Sequence, residues 1–383
     1  MKIGIVCYPT FGGSGVVATE LGKELALRNH TVHFITYDRP VRLSGFNRNV
    51  FFHQVNPQNY PLFQYVPYES ALASKMVDVA LHHQLDVLHV HYAIPHASSA
   101  YLAQSIMKDL GIYVPIITTL HGTDITLVGK DKAYLPVVTF SINRSDGVTS
   151  VSEYLKEATY ANFNVQNEIE VIPNFIDTVR FNADYRCKDR RRCLASEEQP
   201  MLLHASNFRK VKRAMDVYNV FKIVSRQMNV KVIFVGDGPE RYDIEDQARN
   251  DGYDEKVVFL GNQDVIEDVL PVGDLFLMPS ENESFGLAAL EAMACGLPVV
   301  GSDAGGLPEL VENGISGYLC PIGDVEGMAK RTLEILSSPE THEVFSKNAV
   351  RRAHHFSKDN IIPRYEEFYQ KVINKHLQPV LIN

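Results

Sequence analysis

Short apolar runs alternate with stretches of helical period along most of the chain. Lys2–Tyr8, Thr31–Tyr37, Val50–Val55, Asp86–His91, Ile116–Leu120 and Gly147–Val151 have the length and apolar content of parallel strands covered on both faces. Between the first two, Val16–Arg28 sets Leu21 and Leu25 on the inner face of a helix, and Ser152 with Glu153 can cap a later one. Glu170-Val-Ile-Pro173-Asn174-Phe-Ile-Asp177 reads as a short strand, a proline and a turn, the form of a crossover between domains. The alternation then restarts with Pro200–Ala205, Lys231–Val235, Val257–Leu260, Leu275–Met278 and Val299–Gly301, and a helix follows around Ile361–Ile373. The pattern predicts an α/β protein of two Rossmann-like, doubly wound parallel-sheet domains, residues 1–168 and 169–357, with six strand–helix units on each side of the crossover.

Composition narrows the picture. A chain of 383 residues is too long for one ordinary core, and 45% apolar residues with mixed charge suits a soluble globular protein. A net charge of −9 is a poor match for nucleic acid. No apolar run is long enough to span a bilayer, and Met1–Pro9 is too short for a signal peptide. Five scattered cysteines, an odd number without a Cys-x-x-Cys, point to a reducing compartment without a zinc site, so the cytoplasm is expected.

The strongest chemical signal is Glu283-Ser-Phe-Gly-Leu-Ala-Ala-Leu-Glu291 with the following Ala-Met-Ala-Cys-Gly296-Leu-Pro298. Good helix formers stop at Gly296 and Pro298, so a helix should begin near Phe285 or Gly286. The free N–H groups of Phe285, Gly286 and Leu287 would then hold a phosphate, with Gly286 allowing close approach. Glu283 and Glu291 suit sugar and ribose hydroxyls, but from the residues alone they read equally as a helix-dipole partner and a solvated helix residue.

Other candidates stand at predicted strand ends. Gly13-x-Gly15-x-x-Ala18, with Asp38 downstream, formally matches a dinucleotide fingerprint, although the Tyr8-Pro9-Thr10-Phe11 spacer is longer than that motif uses. An ordinary tight turn is the other reading. His89, His91 and His96 raise a metal, but nothing nearby supplies a further ligand and no metal is assigned. Tyr92 should border the ligand crevice of a doubly wound sheet. His121 follows Ile116–Leu120 directly and is either a ligand contact or a structural histidine bonded to Asp124. Arg209, Lys210, Lys212 and Arg213 cluster in an otherwise acidic chain, as a diphosphate site or as a plain basic surface loop.

The Glu283-to-Glu291 segment resembles the signature of retaining, nucleotide-sugar-dependent glycosyltransferases of the GT-B fold, family 4. The resemblance implies two such domains facing a central cleft, with a return helix at about residues 358–383 crossing back to the first. It implies catalytic roles for His121, Arg209, Lys212 and Glu283. Donor contacts fall on Gly13, Gly15, Asn207, Gly236, Phe285, Gly286, Leu287 and Glu291, with Asn207 where the family has an arginine and Arg209 as its substitute. Asn174 and Asp177 match an Asn-x-x-Asp that borders the site. Some relatives dock on membranes through the region of Tyr60, Phe63, Tyr65 and Tyr68. Here no Lys or Arg lies between Arg48 and Lys75, so these aromatics read as packing or as a wall for the acceptor.

The opening segment, His-Val-His-Tyr-Ala-Ile-Pro-His-Ala, Thr-Thr-Leu-His-Gly-Thr-Asp-Ile-Thr and Ser-Asn-Phe-Arg-Lys-Val-Lys-Arg resemble the bacillithiol-biosynthesis branch of that family. That branch implies UDP-N-acetylglucosamine (UDP-GlcNAc) as donor and L-malate as acceptor, with Ser14, Tyr92, Thr119, Asn174 and Arg209 as acceptor contacts. It implies no metal and no other cofactor, and domain closure to exclude water. A polysaccharide or lipid acceptor, a dinucleotide dehydrogenase, a non-catalytic UDP-sugar sensor and a homo-oligomer stay open on sequence alone.

Overall fold

The computed structural model describes residues 1–10, 12–57, 64–196 and 198–377. Of the aromatic stretch, Tyr60 and Phe63 lie outside the described residues; Tyr65 is exposed and Tyr68 opens a helix. The chain divides into two compact units, Met1–Asn174 with Asp359–Asn383, and Phe175–Lys358.

The first unit holds seven strands: β1 (Lys2–Val6), β2 (Thr31–Thr36), β3 (Val50–Gln54), β4 (Val87–His91), β5 (Ile116–Leu120), β6 (Gly147–Ser150) and β7 (Ile169–Val171). Their order is β3-β2-β1-β4-β5-β6-β7, every pairing parallel. The expected boundary after residue 168 and the six-unit count fall short here. Ile169–Val171 pairs with β6 and extends this sheet before the chain leaves it. The second unit holds β8 (Met201–Ala205), β9 (Lys231–Val235), β10 (Val257–Phe259), β11 (Leu275–Met278), β12 (Val299–Ser302) and β13 (Gly317–Cys320), in the order β10-β9-β8-β11-β12-β13, again parallel.

Both sheets are doubly wound because strand order reverses once in each, between β1 and β4 and between β8 and β11. Crossover helices leave in opposite directions there, opening a crevice at the carboxyl ends of the two central strands. The helix Gly13–Leu27 buries Val17, Leu21 and Leu25 against the first sheet. It starts three residues earlier than Val16, since the glycine loop itself supplies the first turn.

The helix Lys358–Leu377 completes the first unit. Ile362, Tyr365 and Tyr369 are fully buried, and Glu366 bonds His30 at 2.7 Å and Arg28 at 3.4 Å. Gly147 lets this helix close in, since a Cβ there would meet Val372 at 2.7 Å and Phe368 at 3.0 Å. In the second unit Lys358 donates to the carbonyl of Ile176 and pairs with Asp177 at 2.9 Å, so Asp177 fastens the two segments where the chain crosses.

Candidate active site

The second unit gathers its candidates at the switch point. The loop after β8, residues 206–213, meets the loop after β11, residues 279–286. Lys212 Nζ lies 2.6 Å from Glu283 Oε1, Arg213 pairs with Glu281 at 3.1 Å, and the Glu281 N–H donates to the Val211 carbonyl at 2.8 Å. Glu283 is only 9% exposed, so Lys212 supplies the charge that keeps its carboxylate buried. Phe208 and Arg213 hold φ of 46° and 51°, left-handed values that side chains avoid unless the surroundings enforce them.

Packing explains several glycines. Gly236 has φ of 109°, and a Cβ there would strike the Ser206 carbonyl at 2.0 Å. The turn after β9 is thereby pressed onto the basic loop. The turn after β12 clamps the glutamate loop in the same way: the Gly306 N–H donates to the Glu283 carbonyl at 2.6 Å, and a Cβ on Gly305 would meet that carbonyl at 2.2 Å.

The helix spans Leu287–Ala294, one to two residues later than expected. Gly286 has φ of 98°, which no helical residue adopts, and precedes the helix as its cap. The first internal bond is Leu290 N–H to the Gly286 carbonyl, so the amides without an intrahelical acceptor are those of Gly286, Leu287, Ala288 and Ala289. Gly286 and Leu287 of the expected three are thus among them, while the Phe285 ring is buried against Phe356. Glu291 is 6% exposed, so the reading as a solvated helix residue fails. Ser280 and Asn282 add buried side-chain oxygens that have no hydrogen-bond partner among the described residues. Asn207 and Arg209 are exposed.

His204, not singled out from the sequence, sits beneath this loop pair. Its Nδ1 bonds the Leu277 carbonyl and its Nε2 the Ser206 hydroxyl, and burial holds its pKa down to about 4. A neutral imidazole thus orders the start of the basic loop without competing for an anion.

The first unit builds its cluster between the ends of β1 and β4. Tyr92 donates to Ser14 Oγ at 2.8 Å, and Tyr8 packs on Tyr92 and His96 with ring centroids 5.4 and 4.6 Å apart. Tyr92 has φ of 85°, an enforced conformation for a bulky residue. Gly13 is exposed beside Ser14. Gly15 is buried, and a Cβ on it would meet the Tyr8 and Thr10 carbonyls at 2.5 Å, so the spacer folds back over it. That packing by itself calls for glycine at this position.

His121 bonds His91, Nε2 to Nδ1 at 2.8 Å, rather than Asp124 as the structural alternative had it. Burial, with His96 nearby, brings His121 down to about 3, so it is neutral. Asp124 instead accepts from the amides of Ala93 and Gly122, and burial raises its carboxyl to about 6 against those bonds. Thr119 does not belong with the acceptor contacts. It is fully buried, and its hydroxyl is shared between His89 Nε2 and Thr149 Oγ1, each at 2.7 Å. His89 also bonds Tyr369, which engages both its nitrogens and removes it as a ligand in the His89, His91 and His96 grouping. Asn174 is buried with Oδ1 unpartnered among the described residues. Tyr8 carries no signal in the sequence, and His91 and Asp124 are read there in other roles, because the partners they take are set by packing at the switch point.

Comparison with known proteins agrees with this architecture. The family described as Glycosyltransferase Family 4 matches residues 11–180, and Glycosyl transferases group 1 matches residues 186–352. The chain is 44% identical over 375 residues to the N-acetyl-alpha-D-glucosaminyl L-malate synthase of Bacillus anthracis, covering 97% of each. It is 26% identical to the alpha-monoglucosyldiacylglycerol synthase of Streptococcus pneumoniae, over 94% of this chain and 86% of that one. Among solved structures, Anabaena HepE in complex with UDP and glucose superposes with a TM-score of 0.79 at 22% identity, covering 99% of this chain and 100% of that one, a likeness of fold. No helix among the described residues is long and apolar enough to cross a membrane.

Proposed function

This chain belongs to the family 4 glycosyltransferases, and we propose that it moves N-acetylglucosamine from UDP-GlcNAc to the hydroxyl of L-malate with retention of configuration. The observation that carries the substrate assignment is the 44% identity, over 97% of both chains, to a protein named for that product. The reaction is the first step of bacillithiol biosynthesis in the branch that the sequence resembles.

In this reading the second unit holds the donor. Lys212 and the Gly286 and Leu287 amides meet the diphosphate, Glu291 the ribose and Glu283 the transferred sugar, with Asn207 and Gly236 around the nucleotide. The bond from the sugar's anomeric carbon to the diphosphate oxygen breaks, and one to the malate hydroxyl forms on the same face. The hydroxyl proton passes to the departing diphosphate, which leaves as UDP. Lys212 and the helix N-terminus neutralise that leaving group, so no metal is required. Ser14, Tyr92 and Asn174 are the acceptor contacts in the first unit, His121 a neutral hydrogen-bonding group for the sugar, and Arg209 a cation for either diphosphate or carboxylate. The five cysteines are all unpaired, in keeping with a cytoplasmic enzyme.

The test is incubation with UDP-GlcNAc and L-malate, followed by mass spectrometry. UDP and a GlcNAc-malate glycoside are expected. Transfer to a lipid or polysaccharide in an acceptor screen, with malate inert, would replace the acceptor assignment.

A further inference from the structure

Away from both switch points, three histidines from three elements converge on one side of the first sheet. His33 lies on β2, His53 on the edge strand β3, and His83 is the last residue of the helix Tyr68–His83. In the parallel register Phe51 stands opposite His33 and His53 opposite Ile35, which puts both histidines on the face that this helix covers. His33 Nδ1 lies 2.9 Å from His53 Nε2, and ring centroids are 4.4 Å apart for His33–His83 and 5.1 Å for His53–His83. One ligand nitrogen from each falls within 4.8 Å of the others. A tetrahedral ion with metal–nitrogen bonds of about 2.0–2.1 Å needs such nitrogens about 3.3 Å apart, so the 2.9 Å pair opens slightly and the widest gap closes by up to about 1.5 Å, within reach of side-chain rotation.

Chemistry favours a cation here. His33 is 2% exposed, and burial together with His83 and His53 lowers its pKa to about 4. A neutral imidazole offers one lone pair, the form in which histidine binds a metal ion. The Phe51 ring stacks on His33 at 5.0 Å and on His83 at 6.3 Å, fixing the ring planes and shielding one side. Imidazole ligands without thiolate select late first-row divalent ions over Mg²⁺ or Ca²⁺.

We propose that His33, His53 and His83 bind one Zn²⁺-class transition cation, with water in the remaining position, and that the ion pins the edge strand β3 and the helix end to β2. The site is remote from glycosyl transfer. In the sheet β2 and β3 stand two and three strands away from β4, whereas Tyr92 and His121 follow the carboxyl ends of β4 and β5.

The test uses the full-length protein stripped with EDTA, titrated with Co²⁺ while its visible d–d absorption is followed, then competed with Zn²⁺. One equivalent should bind, and Zn²⁺ should raise the melting temperature. His53→Gln and His83→Gln should each weaken affinity at least tenfold and erase the Zn²⁺-dependent rise, while His82→Gln, on the exposed neighbour, behaves as wild type and turnover is unchanged in all three. A readout that needs no variant is protection: Zn²⁺ should shield His53 and His83 of the wild type from diethyl pyrocarbonate, seen by peptide mass spectrometry. Absence of saturable one-equivalent binding, binding unchanged in both ligand variants, equal loss in His82→Gln, or modification of His53 and His83 unaffected by Zn²⁺ would each overturn the proposal.

Discussion

Replacing Lys212 by alanine separates the two things its ammonium does. In the resting protein it lies 2.6 Å from Glu283, whose carboxylate is 9% exposed. Truncation leaves that carboxylate nearly buried and unpaired. Breaking a fully buried pair costs about 3–5 kcal/mol, and with the lysine side chain 22% exposed, water can reach the gap and bring the loss to roughly 1–3 kcal/mol. In turnover the same ammonium faces charge that develops on the leaving diphosphate. Removing one such preorganised group typically costs about 10²–10³ in kcat, or roughly 2.7–4 kcal/mol. The assay is UDP release at saturating UDP-GlcNAc and L-malate, beside urea denaturation. Lys212→Ala should lower both stability and kcat. Lys212→Ala/Glu283→Leu, which removes the orphaned carboxylate, should recover most of the stability but none of the turnover. A Lys212→Ala enzyme with wild-type kcat would falsify the assignment of Lys212 to the leaving group. Turnover restored in the double variant would show that the loss came from loop damage alone.

Glu291→Ala removes a buried carboxylate assigned to the ribose hydroxyls; about 1.5–3 kcal/mol of charge-assisted bonding predicts UDP binding at least tenfold weaker by calorimetry. Thr119→Val should leave the KM for malate unchanged while lowering stability by about 1–3 kcal/mol, because His89 and Thr149 lose their shared partner. Acid should destabilise the fold from pH 6.5 downward. His89 and His121 are held at about 3, and His96 and His204 at about 4, by burial, so the unfolded chain takes up protons that the folded one refuses. Each such histidine steepens the loss by about 1.4 kcal/mol per pH unit, while Asp124, raised to about 6, contributes in the opposite sense between pH 6 and its unfolded value. Urea midpoints at pH 7.5 and 5.5 check the sign. EDTA should leave the rate of UDP release intact.

Most strands were readable because their runs of Ile, Val and Leu are buried on both faces; β3, at the sheet edge, is the exception, with Phe51 and Phe52 exposed. Lys212 and Glu283 were likewise visible, each as an unusual charge in a loop that follows a strand. What escaped depends on long-range geometry. The start of the Leu287 helix turns on the φ of Gly286, which Ser-Phe-Gly-Leu does not fix. Thr119 was misplaced because its environment is set by His89 and Thr149 on neighbouring strands. His121 found His91 instead of the nearby Asp124 since β4 and β5 are adjacent in register. His33, His53 and His83 carry no signal in their spacing; three elements must pack before they meet.

The helix Lys358–Leu377 imposes an order on biogenesis. Phe175–Lys358 is one uninterrupted segment, able to fold as soon as it emerges from the ribosome. The amino-terminal unit, although begun first, waits for a helix translated after the second unit to bury His89 and engage Arg28 and His30. Of the two units, the one begun first is therefore completed second. A nascent or prematurely terminated polypeptide would display an uncovered sheet face to chaperones and proteases even while its carboxyl-terminal neighbour is already native.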